Sequence, residues 1–299
     1  MLVPVDRSKS VLVFDVGGSH ISAAVCDYPG FALRQVVRAS LPVRQSPDAF
    51  VDVIAEAATQ AAQGSEMPTG ASLAIAGPFE YENGISRMRH KLEYLYGYDL
   101  RQAIASRFGW APENVRFLND AAAFMFGEVH AGAVKGVARA VGLTLGTGIG
   151  SGYAVDGEIV TTGVGVPKGG EIWDFPYRGG IVEDVISTRA IQNSYERLTG
   201  IRREVSEIAE AAAQDTNARR VFEDFGRDLG TVVRSTMADF SPQAVVIGGG
   251  IARSSQLFLP TATPEVADLG IRLVIASLMD NAPLVGAGVK WMRDSGERF

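Results

Sequence analysis

Cysteine is all but missing from this chain: Cys26 stands alone among 299 residues. No intrachain disulfide can form, so the fold suits a reducing compartment. Histidine is nearly as scarce, and His20, His90 and His130 are scattered. With one cysteine they make no cluster at the spacing of a tetrahedral zinc site, and each reads as a surface or turn residue. No apolar run reaches the ~18 residues that a membrane span needs, and no apolar leader with a basic flank opens the chain. There is no basic run either, and the net charge of -6 argues against a general affinity for nucleic acid. A soluble, cytoplasmic protein that binds neither membrane nor nucleic acid is expected.

What is present is 46% hydrophobic and 21% charged residues, the balance of a globular chain long enough for two domains. Residues 10–15 read as a buried strand and Ile21 to Val25 as its return, which makes a hairpin. Helical patterns cover Pro47 to Gln63, with Ser46 as cap, then Asp99 to Phe108 and a stretch starting at Asn119-Asp120. Buried strands are expected at Ala71 to Ile75, Val115 to Leu118 and Ala244 to Ile247. A second glycine-turned hairpin fills Ala140 to Val160 and echoes the first. Helices follow near 186–198, 204–213 and 218–240, and Leu273 to Ala276 precedes a last helix over 283–292. Alternating strands and helices argue an α/β class with an internal duplication. Without a low-complexity linker, the boundary falls at hinges near 118–120 and 281–286. The expected lobes are 1–118 with 285–299, the smaller, and 119–284, the larger.

Three glycine turns each follow an apolar strand: Asp15-Val-Gly17-Gly18-Ser19, Gly146-Thr147-Gly148 and Gly248-Gly249-Gly250. Glycine lets consecutive amides approach an anion as a positive concavity. A tight hairpin explains any one of them as well, but less easily all three. The familiar phosphate motifs fail. A dinucleotide fingerprint would need glycine where Ser151 stands and a helix where a strand follows, and no Gly-Lys-Ser or Gly-Lys-Thr occurs for a Walker loop. The catalytic-loop signature of protein kinases is absent as well.

The ordered set resembles the actin-like ATPase superfamily, and within it the ROK family of sugar kinases, over nearly the whole chain. Ala76-Gly77-Pro78 is similar to that family's glycine-proline sugar loop, and Leu118-Asn119-Asp120-Ala121-Ala122-Ala123 to its N-D-A segment. The resemblance implies a two-lobed α/β, RNase H-like fold, with duplicated mixed-sheet domains and an interdomain cleft that closes on the sugar. It implies ATP and Mg²⁺, with Asp15 orienting the metal through water, and phosphates on Gly17, Gly18, Ser19, Gly146, Thr147 and Gly148. Gly248, Gly249 and Gly250 would face the nucleoside. Asp120 would be the catalytic base, and Gly77, Asn119, Asp120, Glu171, Asp174 and Glu183 would line a hexose. A homodimer is also implied. Read from the residues alone, Asn119-Asp120 could equally cap a helix, Glu171 could be an exposed turn residue, and Glu183 a carboxylate favoured at a helix start.

The chain also departs from the family pattern. The segment Gly169 to Ser187, GGEIWDFPYRGGIVEDVIS, lacks the cysteines of the family's zinc loop, and Asp174 takes the place of its histidine. It looks more like the zinc-free glucokinases, some of which accept polyphosphate. Ser19-His20 replaces the usual Thr-Lys. In the loop Arg87 to Leu100 the sugar-contacting Asn is missing, and His90, Lys91 or Glu93 could substitute, while Tyr94, Tyr96 and Tyr98 suit packing. A sugar-responsive repressor of the same family would need a DNA-reading helix, for which about nine residues before the first strand leave no room. A sugar or nucleotide sensor without turnover is a third reading.

Overall fold

Residues 10–16 are apolar almost throughout because their strand is covered on both faces, the pattern of a buried mixed or parallel sheet rather than a half-exposed one. The computed structural model describes residues 9–41, 46–89 and 91–296. They divide into two compact units, one of residues up to 127 joined by those from 281 onward, the other of residues 128–280.

The first unit begins with strands β1 (Lys9–Val16), β2 (His20–Tyr28) and β3 (Ala32–Ser40), helix α1 (Pro47–Ala61), strand β4 (Ala71–Ile75) and a two-residue hairpin, β5 (Phe79–Glu80) and β6 (Ile85–Ser86). It continues through α2 (Leu100–Phe108), β7 (Val115–Asn119) and α3 (Asp120–Ala131), the helix in which the chain passes to the other unit. The sheet order is β3-β2-β1-β4-β7, antiparallel through the hairpin strands and parallel across β1, β4 and β7. Leu12, Phe14 and Val16 pack with Phe50 and Ile54 of α1. On the other face the C-terminal helix crosses Val13 and Cys26 at Gly288.

The second unit repeats this plan. It holds β8 (Arg139–Leu145), β9 (Ile149–Val155), β10 (Glu158–Val160), a two-residue hairpin β11 (Pro176–Tyr177) and β12 (Gly180–Ile181), α4 (Val182–Val185), α5 (Thr188–Thr199), α6 (Val205–Ala211), α7 (Thr216–Met237), β13 (Ala244–Gly248), α8 (Ser255–Ala262) and β14 (Arg272–Ile275). Its sheet runs β10-β9-β8-β13-β14, again a hairpin followed by two parallel neighbours. The duplication expected from the two glycine hairpins is therefore seen in strand order. Helix α9 (Ala282–Asp294) returns the chain to the first unit.

The helix signals hold where a side chain does the capping. The Ser46 hydroxyl accepts from Ala49 N–H at 3.1 Å, and Asp99 accepts from Gln102 N–H at 2.9 Å. The chain passes between the units inside α3, after Gly127, and returns at Asn281. The first two turns of α3, placed in the larger lobe by its start signal, pack in the first unit. Gly127 lies against the Ala282 carbonyl and Gly286 against the Ala123 carbonyl, so α3 and α9 touch closely enough that a Cβ at either glycine would collide. Just beyond, buried Glu128 accepts backbone N–H groups from Ala133 (2.7 Å), Ser277 (3.3 Å) and Leu278 (2.9 Å). Asp224-Phe225-Gly226 has the letters of a protein-kinase metal motif, yet it lies inside α7, where Gly226 admits Phe258 and Thr261 of α8.

Burial pushes the Cys26 thiol up to about 12, with the Asp27 charge adding to it. Native protein at pH 8 is expected to give no reaction with a disulfide reagent until it is unfolded, because the thiolate is the reactive form. Release of one equivalent of chromophore from folded protein within minutes would contradict this burial.

Candidate active site

In the first unit, parallel register brings the ends of three strands level: Val16 stands opposite Ile75, and Ile75 opposite Asn119. Whatever follows each strand therefore shares one sheet edge, the carboxyl edge where open α/β sheets bind ligands. That edge carries Gly17 to Ser19, Ala76 to Pro78, and Asp120. Asp15, half-buried, is one residue inside it on β1.

Gly17 N–H donates to the His20 carbonyl at 3.0 Å and closes the first turn. The His20 ring folds back over Gly17, and its Nε2 lies 2.9 Å from the Arg38 guanidinium. A guanidinium can only donate, so Nε2 accepts, and a neutral ring turns its Nδ1 proton toward the Ser19 hydroxyl at 3.2 Å. Lys91 flanks Gly18, its Cβ 3.8 Å from where a Gly18 Cβ would stand. Two cations thus accompany a turn whose own lysine position is histidine. Sequence reasoning weighed Lys91 for the sugar and missed Arg38, since nothing in the edge-strand pattern marks it. His90 lies outside the described residues. Of the three tyrosines, Tyr94 packs on Phe50, Tyr98 reaches Asp48 at 3.4 Å, and exposed Tyr96 lies under the Arg89 guanidinium.

At the ends of β4 and β7, Tyr81 was not anticipated. Its hydroxyl donates to the Ile75 carbonyl at 3.1 Å and accepts from Asn119 Nδ2 at 3.2 Å, beside Gly77. Asn119 Oδ1 accepts from Ala122 N–H at 3.0 Å, so the capping role is real for this residue. Half-buried Asp120 opens α3, where the positive helix end favours its charge, and Oδ1 accepts from Ala121 N–H at 2.9 Å.

In the second unit the Gly146-Thr147-Gly148 turn is closed by Gly146 N–H to the Gly148 carbonyl at 3.0 Å. The start of α5 holds it from behind, through Thr188 N–H to the Gly146 carbonyl at 2.8 Å. Gly248 pairs with Thr144, and Gly249, at φ +84°, abuts the Leu145 backbone so closely that only glycine fits. The second and third glycine segments are therefore neighbours, while Gly250 opens a short 3-10 turn in free space.

Glu171 and Asp174 are exposed, and the Glu171 carboxylate accepts from Trp173 Nε1 at 3.1 Å. Glu183, at the start of α4, accepts from Ile149 N–H at 3.3 Å and occupies the space a Gly148 side chain would need. It thus touches the Gly146–Gly148 turn, a contact its expected sugar role does not describe. Its own N–H bonds the Trp173 carbonyl at 3.0 Å, and Val182 N–H bonds the Phe175 carbonyl at 2.9 Å, which draws Glu171, Asp174 and Glu183 into one block. Among the described residues no group of three His, Cys, Asp or Glu could hold a metal, and no helix is long and apolar enough to cross a membrane.

The chain is similar to known proteins over most of its length. The glucokinase of Thermotoga maritima is 28% identical, over 91% of this chain and 94% of its own length. The N-acetyl-D-glucosamine kinase of Escherichia coli is also 28% identical, over 85% and 87%. The ROK hexokinase of Thermus thermophilus has a TM-score of 0.78 at 24% identity, with 96% and 99% of the chains covered. A ROK family glucokinase from Streptomyces griseus, solved with glucose and AMPPNP, has a TM-score of 0.77 at 22% identity, with 94% and 98% covered. The α/β actin-like ATPase fold expected from the sequence is the one these structures share with the chain. The ROK family profile matches residues 11–294, from the first strand to the last helix, and the chain belongs to the ROK family.

Proposed function

We propose that this protein is an ATP-dependent kinase of a hexose or hexose derivative, with Asp120 as the base that accepts the proton of the attacking hydroxyl. The reading rests above all on one placement: a carboxylate at the start of α3 shares a sheet edge with the Gly17–Ser19 turn. Phosphoryl transfer needs little covalent help from the protein beyond alignment, charge neutralisation and a base at the nucleophile. Beyond the Gly17 and Gly146 N–H groups that close the two glycine turns, the remaining backbone N–H groups of these turns supply donors for phosphate oxygens, and Gly248 to Gly250 face the nucleoside. Arg38 and Lys91 add positive charge at the first turn.

The donor set suits magnesium, which keeps several waters and binds through one or two carboxylates plus substrate phosphates rather than in a protein cage. Asp15 is the carboxylate beside the turn that would hold it through water. Bound there, the ion would draw negative charge from the phosphate oxygens. Asn119, Glu171, Asp174 and Glu183 offer the acceptors and donors by which a hexose is told from its epimers. The relatives named above make glucose and N-acetylglucosamine the first acceptors to try.

A coupled ADP-release assay with Mg²⁺ and ATP, across glucose, mannose, fructose, N-acetylglucosamine and N-acetylmannosamine, is expected to show saturable turnover with at least one sugar. A parallel arm with polyphosphate reads donor choice by sugar-phosphate formation. No product from any sugar with either donor sinks the proposal.

A further inference from the structure

The hairpin β11–β12 carries an unusual residue at its tip. Arg178 has φ +48° and Gly179 has φ +82°, the two left-handed positions of a tight hairpin turn that favours Asn-Gly. A long side chain in that conformation is uncommon and strained, so another contact must hold it. Arg178 pairs at 2.7 Å with Asp228 on α7, whose side chain is only 14% exposed against 63% for the arginine. The same carboxylate accepts from the Tyr177 hydroxyl at 3.0 Å. Burial pushes the Asp228 carboxyl up, and Tyr177 and Arg178 oppose that shift by favouring the charged form.

Both strands of this hairpin run directly into the residues assigned to the sugar. Residues 171–175 enter it and Glu183 leaves it, with Val182 N–H on the Phe175 carbonyl and Glu183 N–H on the Trp173 carbonyl at its base. Glu183 continues to Ile149 N–H beside the Gly146–Gly148 turn. The tip is therefore the free end of a lever that holds three carboxylates, and one half-buried aspartate anchors it.

We infer that Asp228 is a positioning residue for sugar recognition, latching the 171–183 block to α7 through Tyr177 and Arg178. The inference rests on the sugar-kinase reading above for its kinetic consequence but not for the latch itself. Hydrogen exchange on substrate-free protein tests the latch. In Asp228→Ala the amides of Val182 and Glu183 are expected to exchange at least tenfold faster, with those of β8 and β13 unchanged within twofold. Kinetics with an accepted sugar test the consequence: the sugar KM should rise about 5- to 20-fold while the ATP KM stays within twofold. Asp228→Asn, whose side-chain oxygen can still accept from both Tyr177 and Arg178, should restore most of both.

Arg178→Gly keeps the proposal falsifiable if Asp228→Ala does not fold. It relieves the left-handed strain yet removes the ion pair, so native stability should hold or rise while the sugar KM rises. Unchanged exchange at Val182 and Glu183 in Asp228→Ala, or in Arg178→Gly if the alanine variant does not fold, overturns the latch. Equal increases of sugar and ATP KM overturn its assignment to the sugar. If no sugar is turned over at all, the kinase reading fails while the exchange result still decides the latch.

Discussion

Asp120→Asn is expected to lower kcat by about 10²–10⁴-fold, the range for loss of a general base, with a much smaller change in sugar KM. Asparagine keeps the size of the side chain and an oxygen that can still accept from Ala121 N–H, the 2.9 Å contact at the start of α3. It removes the capacity to take a proton. The substitution therefore separates the two roles that a carboxylate at a helix start can have: a cap survives it, and a base does not. Steady-state kinetics beside a thermal melt read both. A kcat within threefold of wild type, at unchanged stability, would remove Asp120 from the chemistry.

The largest stability effect is expected at Glu128→Ala. The Glu128 carboxylate is fully buried and receives the N–H groups of Ala133, Ser277 and Leu278, which come from opposite ends of the second unit. Truncation leaves three backbone donors without an acceptor and opens a polar void. Each orphaned donor costs about 1–3 kcal/mol before relaxation, and a net loss of about 3–5 kcal/mol is expected, comparable to breaking a buried pair. Urea unfolding measures it. Glu128→Gln should lose less, because the amide oxygen still accepts. A loss below about 1 kcal/mol for the alanine variant would mean that water replaces the carboxylate without penalty.

The parts of the fold legible in the sequence are those whose cause is local. Both glycine hairpins, the buried strands 71–75 and 244–247 and the Ser46 cap announce themselves by apolar runs and turn chemistry. β3 was missed because ALRQVVRAS is an edge strand, exposed along much of its length, with Gln35 at φ +41° and a register shift opposite β2. α8 was expected only as a helix somewhere after Gly250, without bounds, because Pro260 lies inside it and only Phe258 and Ala262 are buried. The candidate site divides in the same way. Asp15, the glycines and Asn119-Asp120 lie in short motifs. Tyr81, Arg38 and Lys91 reach the same edge by tertiary contact and carry no motif. Asp228 reads as one more charge beside Arg227 on a helix, and its burial depends on a hairpin about fifty residues earlier in the chain, a separation that no periodicity reports.

The close contact of α9 with the first sheet bears on how the chain is made. The second unit is one uninterrupted stretch, residues 128–280, and all of its strands have been synthesised before α9 begins. The first unit starts earlier yet waits: the face of its sheet formed by Val13 and Cys26 is covered by Gly288 and its neighbours, made only after the whole second unit. Since domains fold as units during synthesis, the order in which the two become complete is the reverse of the order in which they are begun. Until α9 arrives, an apolar sheet face stands open, and that interval is when the growing chain is most exposed to aggregation.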